Sequence, residues 1–292
     1  MKYIENAKNY IEDNGLTIAS FAKTLGVRRE YLSEYLNGKA RNEDTENSIE
    51  SALEEFFEID LKYDGGMLHT DDADGILYVC KLCQDGGGLG MITGKPGSGK
   101  TYTLRNYAKN PKVVYIECND TMNTRDLVKK IRAAFSLPEK YGSINDAIEE
   151  ICELCEDAPG FLLLIDEADK MLTKFTQKKM EIIRALYDNA QLSIVLAGEP
   201  QLEGNIKTYV GRMADRMDWT YRLHGISKDE AARYVSSLNL TDKAREEIIS
   251  RALGGKSGSF RRLNRIVRNL KVTYPSEKIN DEMVRNVAQM MF

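Results

Sequence analysis

The sequence predicts an α/β fold in which a parallel sheet with flanking helices lies between two all-helical regions. Residues 94–101 read G-x-x-x-x-G-K-T, a loop whose backbone N–H groups surround phosphates. The apolar residues 161–165 are followed directly by two acids, Asp166 and Glu167. Between residues 74 and 223, apolar runs of strand length alternate with helical patterns, which is typical of a parallel sheet with crossover helices.

The glycine-rich loop and the acidic strand end together predict a nucleotide site. Lys100 would neutralise the phosphates of ATP, and the Thr101 hydroxyl would bind Mg²⁺. Asp166 would hold the Mg²⁺ shell, and Glu167 would polarise the attacking water, which makes Lys100 and Glu167 the first catalytic candidates. We therefore expect ATP to be hydrolysed to ADP and phosphate. The loop residues expected to touch the nucleotide are Gly94, Pro96, Gly97, Ser98, Gly99, Lys100, Thr101 and Tyr102.

Composition indicates a soluble chain with an uneven charge distribution. The 292 residues, 42% of them hydrophobic, suit two or three domains. No apolar stretch reaches membrane-spanning length and no secretory leader is evident, so we expect a cytoplasmic protein. The net charge of −4 argues against a surface that is basic throughout. Residues 251–275 nevertheless hold seven cations and no acid: Arg251, Lys256, Arg261, Arg262, Arg265, Arg268 and Lys271.

Two C-x-x-C pairs, Cys80/Cys83 and Cys152/Cys155, raise the question of a zinc site. Both pairs continue apolar stripes at helical spacing, since each cysteine falls three or four residues from an isoleucine, a valine or its partner. Zinc ligands usually lie on knuckles or turns. We therefore interpret these cysteines as small core residues, with a metal site as the less favoured alternative.

Residues 1–62 are predicted to form a helix-turn-helix domain with helices at 3–13, 18–25, 28–36 and 45–57. The two inner helices place Ala22, Gly26, Leu32 and Leu36 at the spacing of that motif. Residues 1–60 hold seven cations and thirteen acids, so a helical bundle that binds protein, or DNA only weakly, remains an alternative. The candidate DNA contacts of this domain are Arg28, Arg29, Tyr31, Ser33 and Lys39.

Residues 63–223 are predicted to be the nucleotide-binding core, entered through a linker at 63–66. We expect helices at 74–84, 101–109, 124–135, 144–156 and 177–188, and strands at 89–93, 113–118, 161–165, 192–197 and 219–223. Residues 224–292 are predicted to form a helical lid. Its helices are expected at 228–238, 242–253, 260–272 and 280–290, with Ser227 and Thr241 as caps of the first two.

A P-loop core followed by a small helical lid resembles the AAA+ ATPases, and this resemblance implies further site residues. Glu199 follows the fourth strand, where the family places a polar sensor of the γ-phosphate; a carboxylate departs from the usual Asn, Thr or Ser. Arg216, and second to it Arg212, precede the last strand, where the family offers an arginine to the neighbouring subunit. Arg261 in G-x-x-R-x-x-N matches the lid arginine that contacts phosphate in the same chain. Ordinary salt-bridge partners or surface charges are the alternatives for these arginines.

The order of these motifs resembles the target-DNA activator ATPases of the phage Mu B type, which are AAA+ regulators of transposition. The resemblance implies an ATP-dependent, largely sequence-tolerant binder of double-stranded DNA that forms a helical filament or ring. It also implies that target DNA is delivered to a DDE transposase. Further candidate DNA contacts are Thr121, Asn123, Thr124, Arg125, Lys140, Lys170 and Lys174, although the lysines could equally line a solvated helix face.

Two other classes of function stay open from the sequence. One is a helicase-loader or replication-type AAA+ ATPase, which predicts a dedicated helicase partner. The other is an AAA+ ATPase whose N-terminal bundle binds protein, which predicts no affinity for DNA.

Overall fold

The computed structural model describes residues 4, 7–8, 11, 17–24, 27–39, 42–57, 70–138, 142–172, 177–254, 258–275 and 277–291. The chain divides into two compact units, Met1–Gly66 and Met67–Phe292. Most of the predicted helix at 3–13, the turn glycine Gly26 and the linker at 63–66 lie outside the described residues, as do Lys140 and Lys174.

The described part of the first unit includes the helices α1 (Ile18–Thr24), α2 (Arg29–Leu36) and α3 (Glu43–Phe57). The first two match the predicted inner helices to within one residue at each end. Tyr35 joins α2 to α3 because its hydroxyl donates to Glu50 Oε1 at 2.9 Å. The buried residues that these helices share include Phe21, Ala22, Leu32, Tyr35, Leu36, Ile49 and Leu53.

The second unit is built on the predicted parallel sheet. Its strands are β1 (Leu89–Thr93), β2 (Val113–Glu117), β3 (Leu162–Asp166), β4 (Ser193–Gly198) and β5 (Trp219–Arg222). They pair in the order β2-β3-β4-β1-β5, and every pairing is parallel. Strands β1, β3 and β4 are buried along their whole length, which explains why they read as continuous apolar runs in the sequence.

Helices cover both faces of this sheet. They are α4 (Asp71–Gly86), α5 (Lys100–Tyr107), α6 (Thr124–Ala134), α7 (Ile144–Asp157), α8 (Lys178–Asn189), α9 (Gln201–Tyr209) and α10 (Gly211–Ala214), with a 3₁₀ turn at Ala168–Met171. The sequence did not predict α9, α10 or the 3₁₀ turn. Helix α4 begins three residues before its predicted start because the Thr70 hydroxyl caps it, accepting from the Ala73 N–H at 3.1 Å.

Alternate residues of the central strands pack into two separate hydrophobic cores, one on each face of the sheet. Leu162 and Leu164 of β3 pack with the apolar stripe of α4 and with Leu104 of α5. Leu163 and Ile165 point to the opposite face, where they pack with residues of α6, α7 and α8. The sheet is therefore the middle of three layers, and the carboxyl ends of its strands form one edge at which functional side chains can meet.

The described part of residues 224–292, the region predicted to be a lid and called the lid region below, contains four helices with a hydrophobic core of their own. They are α11 (Lys228–Tyr234), α12 (Asp242–Leu253), α13 (Phe260–Thr273) and α14 (Asp281–Gln289). Ser227 and Thr241 cap the first two helices as predicted. Helix α11 ends at Tyr234 rather than at residue 238. Beyond it the Ser236 hydroxyl donates to the Arg233 carbonyl at 2.7 Å and competes with continued helix.

The first turn of α4 fixes the junction between sheet and lid. The buried carboxylate of Asp72 accepts the backbone N–H groups of His224 at 3.0 Å and Gly225 at 2.7 Å. The Asp71 N–H donates to Glu230 Oε1 of α11 at 2.9 Å. These bonds connect the first turn of α4 to the segment that follows β5 and to α11. Among the described residues, no helix is both long and apolar enough to cross a membrane.

Candidate nucleotide site

The glycine-rich loop connects β1 to the first turn of α5. Gly97 and Gly99 have φ angles of 81° and 105°, a region that side-chain-bearing residues rarely adopt. A Cβ at Gly97 would also lie 2.9 Å from Cβ of Arg261 in the lid. The glycines are therefore needed both for the turn itself and for the close approach of the lid helix α13.

Lys100 and Ser98 have polar groups that suit a phosphate chain. The buried Lys100 ammonium donates to the carbonyls of Gly94 at 2.5 Å and Lys95 at 3.3 Å. Burial lowers the pKa of Lys100, while the carboxylates of Asp166, Glu167, Glu199 and Asp169 oppose that shift. The Ser98 hydroxyl is buried and has no hydrogen-bond partner within the described part of the chain. A triphosphate would give both groups acceptors, so the residues present fit this ligand.

The two sequence motifs meet at Asp166, which is fully buried at the end of β3. Its carboxylate accepts hydrogen bonds from the Tyr115 hydroxyl at 3.0 Å and from the Glu167 N–H at 2.9 Å, and the Thr101 hydroxyl lies close enough to lower its pKa. Burial raises the pKa of Asp166, and these donors oppose the increase. A hydroxyl and a carboxylate in contact are suitable oxygen ligands for Mg²⁺, so Thr101 and Asp166 fit the predicted metal site.

Tyr115 is a site residue that the sequence did not predict. It lies on β2 and reaches Asp166 across the β2–β3 register, in which Tyr115 is opposite Leu164. Arg105 lies beside it, with Nε 3.4 Å from the tyrosine hydroxyl, the guanidinium 5.7 Å from the ring centroid and Nη2 2.7 Å from Glu117 Oε2. Together these contacts fix the orientation of the Tyr115 ring.

Glu167, the predicted water-polarising residue, has a backbone in the left-handed region with φ of 55°. This conformation is unfavourable for a residue with a side chain and is found where the surrounding structure enforces it. The 3₁₀ turn begins at the next residue, and Lys170 within it places Nζ 3.0 Å from Glu167 Oε2. Lys170, a candidate DNA contact from the sequence, is thus paired with Glu167. Asp166 and Glu167, the two acids at the end of β3, are called the Walker B acids below.

Glu199 lies close to the same site at the end of β4. Its backbone N–H donates to Asp169 Oδ1 at 3.0 Å, and Gln201 Nε2 lies 3.3 Å from the other oxygen of Asp169. A Cβ at Gly198 would be 2.4 Å from Asp169 Oδ1, so only glycine fits there. Sequence reasoning did not assign Asp169, although it is the fourth residue of the Asp-Glu-Ala-Asp run. The sensor role of Glu199 stays a prediction.

Arg261, whose contact with phosphate stays a prediction, lies at the P-loop. Its backbone N–H donates to the Gly97 carbonyl at 3.3 Å, and its side chain is exposed. Ser259 caps α13 at this point by accepting from the Arg262 N–H at 3.3 Å. Asn264 of the same motif accepts from the Tyr234 hydroxyl at 3.1 Å, while Tyr102 is 50% exposed on α5.

The two candidate trans arginines, Arg212 and Arg216, contact other residues of their own chain. Among the described residues, neither forms a bond with the P-loop or with the Walker B acids. Arg216 Nε lies 3.0 Å from Asp188 Oδ1, and its Nη1 donates to the Arg212 carbonyl at 2.9 Å. The Arg212 side chain is exposed. A role toward a neighbouring subunit stays a prediction for both, and for Arg216 it requires release from Asp188.

The candidate DNA contacts lie in both units. In the first unit, Arg28 and Tyr31 contact each other, with the guanidinium 5.6 Å from the ring centroid. Arg28, Arg29 and Lys39 are exposed, and Ser33 is half-buried.

In the second unit, Thr121 to Arg125 form the entry to α6. The Asn123 side chain is occupied as the helix cap, since its oxygen accepts from the N–H groups of Arg125 at 2.8 Å and Asp126 at 3.1 Å. Thr121 donates its hydroxyl to Asn119 Oδ1 at 3.0 Å, Thr124 is half-buried, and Arg125 is exposed. Among these residues Arg125 has an exposed cationic side chain, and a contact with DNA stays a prediction for all of them.

The cysteines pack as the sequence analysis predicted. Cys80 and Cys83 are buried on α4, Cys155 is buried on α7 and Cys152 is half-buried beside it. Burial raises the pKa of Cys83 and of Cys155 to about 12, as expected for thiols packed in an apolar environment. These thiols therefore belong to the hydrophobic layers on the two faces of the sheet.

Comparison with known proteins matches the core to a family model and finds relatives that are similar over longer parts of the chain. The model of a family described as AAA domain matches residues 83–206. General secretion pathway protein A of Aeromonas hydrophila is 29% identical over 163 residues, which are 52% of this chain and 30% of that protein. The match thus spans less than a third of that relative's own length.

A second relative is similar over nearly the whole chain. The Mu-like prophage FluMu DNA transposition protein B of Haemophilus influenzae is 22% identical over 268 residues, which are 87% of this chain and 86% of that protein. The resemblance to B-type AAA+ transposition proteins that the motif order predicts is confirmed by this match.

Among solved structures, the ORC1 protein of Aeropyrum pernix in complex with DNA superposes with a TM-score of 0.57 at 14% identity. The superposition covers 75% of this chain and 64% of that one. At this identity the likeness establishes the fold of the AAA+ core.

Proposed function

We propose, from an AAA+ core whose similarity to B-type transposition proteins extends along 87% of the chain, that this protein is an ATP-dependent DNA-binding ATPase. In this proposal it assembles on double-stranded DNA and delivers that DNA to a DDE transposase. The observation that carries the ATPase assignment is the convergence on one site of the P-loop, the Walker B acids and the lid. The Thr101 hydroxyl lies close enough to Asp166 to lower its pKa, and the Arg261 N–H donates to the Gly97 carbonyl at 3.3 Å.

Each residue of the site has a chemical role in hydrolysis. The loop N–H groups and Lys100 bind and neutralise the phosphates. Thr101 and Asp166 hold Mg²⁺, which when bound supplies positive charge to the phosphate oxygens. Glu167 accepts a proton from the attacking water, and Arg261 reaches the phosphates from the lid. Tyr115 orients Asp166, because its hydroxyl occupies one carboxylate oxygen.

Assembly is proposed to link ATP to DNA binding. In an oligomer, Arg216 or Arg212 of one subunit would approach the phosphates bound by its neighbour. A filament or ring would then align one modest group of cations from each protomer along the duplex. Phosphate contacts from many protomers add up, which gives cooperative and strongly salt-dependent binding even though the chain carries a net charge of −4.

The first unit is proposed to be a helix-turn-helix domain, and residues 224–292 a lid that responds to nucleotide. Helices α1 and α2 and the exposed Arg28, Arg29 and Lys39 support DNA contact by the first unit. In the second unit, Arg125 at the start of α6 offers a further exposed cation.

The proposal is tested by sedimenting the full-length protein with plasmid DNA, with and without ATP, at two salt concentrations. We expect protein and plasmid to sediment together only with ATP and to separate as salt rises. The matched control is Lys81→Met, which removes an exposed cation of α4 outside the site and should sediment like the wild type. Tight one-to-one binding without nucleotide would contradict the proposal and favour a simple helix-turn-helix regulator.

A second candidate is an AAA+ ATPase that binds protein and has no affinity for DNA. It is supported by the 29% identity to general secretion pathway protein A and by the excess of acids over cations in residues 1–60. This candidate predicts that the protein hydrolyses ATP but does not sediment with the plasmid, either with or without ATP. The same assay therefore separates the two functions.

A further inference from the structure

The buried carboxylate of Asp169 connects the 3₁₀ turn after β3 to the end of β4. Its Oδ1 accepts the Glu199 N–H at 3.0 Å. We propose that Asp169 is a positioning residue that sets where the Glu199 carboxylate stands relative to the phosphates that Lys100 is proposed to bind. The role given to Glu199 rests on the ATPase part of the proposed function, whereas the contact between Asp169 and Glu199 belongs to the structure alone.

The backbone of Glu199 is fixed on both sides. A Cβ on Gly198 would lie 2.4 Å from Asp169 Oδ1 and 3.2 Å from the Asp169 backbone nitrogen, so the end of β4 passes directly against this residue. The Glu199 carbonyl accepts the Leu202 N–H at 2.9 Å, which closes the turn into α9. Asp169 therefore holds the N–H of Glu199 while the first turn of α9 holds its carbonyl.

Asp169 also supplies what the start of α9 lacks. Pro200, which precedes α9, makes no side-chain cap hydrogen bond. Asp169 places a carboxylate at this helix start, where a negative charge is favourable, and its Oδ2 lies 3.3 Å from Gln201 Nε2. Both oxygens of Asp169 are thus engaged with residues 199–201. This turn cannot shift without breaking two hydrogen bonds.

The same turn is joined to the P-loop. The Gly198 carbonyl accepts the Gly94 N–H at 3.1 Å, and the Gly94 carbonyl accepts from the Lys100 ammonium at 2.5 Å. The carboxylates of Glu199 and Asp169 lie close enough to Lys100 to oppose the lowering of its pKa by burial. A displacement of residues 198–199 therefore changes the distance between the Glu199 carboxylate and the phosphates at Lys100.

A carboxylate beside phosphates acts only from a defined position. Two negative groups in contact repel each other, so Glu199 needs a water molecule or a cation between itself and a phosphate. Such a bridge has the length of hydrogen bonds, and a displacement of about 1 Å lowers a rate by about 10²-fold. Loss of the anchor at Asp169 should therefore slow turnover. ATP binding should persist, because the P-loop and Lys100 are untouched.

The test compares kcat and ATP affinity of the full-length protein in Asp169→Ala, Asp169→Asn, Glu199→Ala and the double variant Asp169→Ala/Glu199→Ala. We expect Asp169→Ala to lower kcat about 10- to 100-fold with unchanged ATP affinity. Asp169→Asn should recover most of this loss, since an amide oxygen still accepts the Glu199 N–H. Glu199→Ala should be slowed by a similar factor. The double variant should be no slower than Glu199→Ala, because no carboxylate is left to position.

The matched control is Asp146→Ala, which removes a carboxylate that accepts the Ser143 N–H at 2.8 Å at the start of α7, outside the nucleotide site. It should lower the urea midpoint and leave kcat unchanged. If Asp169→Ala does not fold, Asp169→Ser takes its place, because its hydroxyl is too short to engage both partners of the carboxylate.

Wild-type kcat in Asp169→Ala or in Glu199→Ala would overturn this inference. An Asp169→Asn variant as slow as Asp169→Ala would also overturn it, because the charge rather than the acceptor would then matter. A double variant slowed by the product of the two single effects would show a structural role independent of Glu199. A wild type that hydrolyses ATP but never sediments with plasmid would instead refute the proposed delivery of DNA, and the kcat comparison would still decide the role of Asp169.

Discussion

Tyr115→Phe removes the hydroxyl that orients the Asp166 carboxylate and leaves the ring in place. In the wild type this hydroxyl donates to Asp166 Oδ2 at 3.0 Å, the Glu167 N–H donates to the same carboxylate at 2.9 Å, and the Thr101 hydroxyl lies near it. Since Asp166 is fully buried, water does not replace the lost donor without rearrangement. The variant therefore tests whether a residue of the neighbouring strand controls the proposed metal site.

The expected magnitude follows from the hydrogen bond that is lost. A hydrogen bond to a charged group contributes about 1.5–3 kcal/mol, and the Glu167 N–H that still donates to the carboxylate favours the lower end of that range. About 1.4 kcal/mol corresponds to a tenfold change, so the concentration of Mg²⁺ needed for half-maximal turnover should rise roughly tenfold. Turnover at saturating Mg²⁺ should stay close to that of the wild type, because Glu167 and Lys100 are untouched.

The same substitution should shift the dependence on pH. The Tyr115 hydroxyl opposes the increase in the pKa of Asp166 that burial causes, so its removal raises that pKa further. Activity on the acid side should then be lost at a higher pH than in the wild type. Because the folded-state pKa is raised, the variant should also unfold more easily near neutral pH, and the difference should vanish at a pH low enough to protonate Asp166 in both states.

The assay is ATP turnover against Mg²⁺ concentration, with urea unfolding at two pH values as an independent readout. Tyr107→Phe is the matched control, since its hydroxyl donates to the neutral Gln84 Oε1 at 2.9 Å rather than to a site carboxylate. Wild-type dependence on Mg²⁺ in Tyr115→Phe, or an equal change in Tyr107→Phe, would refute this reasoning.

Three further outcomes are expected. Arg216→Ala should bind ATP yet lose assembly and turnover. Mixing it with Lys100→Ala protein should restore some turnover. Normal turnover by Arg216→Ala alone would contradict a role of Arg216 toward the neighbouring subunit. Purified protein should hold far less than one zinc per chain. Cys80→Ser should lower the unfolding midpoint, because it places a hydroxyl where a buried thiol packs in the core. Stoichiometric zinc would contradict the interpretation of the cysteines as core residues. The hydrogen bond from Arg222 lowers the pKa of Glu203 to about 2. The ionised Glu203 therefore stabilises the folded state above pH 4.5, and this contribution is lost as the pH falls toward 2. Urea midpoints of Glu203→Gln and wild type should therefore converge there, and a constant gap would refute this.

Local sequence patterns are sufficient to predict most of the sheet and its helices. Strands β3 and β4 are buried on both faces, so their sequences are apolar without interruption. The motif at residues 94–101 places Lys100 and Thr101 without knowledge of the fold, because its glycines are required locally. Helix α9 is harder to detect, since Gly204 interrupts its pattern and weakens the helical signal.

The site residues that sequence reasoning missed depend on contacts across the fold. Tyr115 reaches Asp166 through the register of β2 and β3, and Asp169 binds the Glu199 N–H 30 positions later in the chain. Tyr115 has no local pattern that marks it, and the Asp-Glu-Ala-Asp run that contains Asp169 does not reveal its contact with Glu199. The Lys170–Glu167 pair is local, but its spacing indicates a contact only when the 3₁₀ turn is known.

The central claim is that the P-loop and Walker B residues form one site that binds ATP and hydrolyses it. The most direct test compares ATP affinity and turnover in the wild type, Lys100→Ala and Glu167→Gln. We expect Lys100→Ala to lose ATP binding, because the buried ammonium that neutralises the phosphates is gone. Glu167→Gln should bind ATP like the wild type while turnover falls by about 10²–10⁴. Normal turnover in Glu167→Gln, or wild-type affinity in Lys100→Ala, would contradict the account.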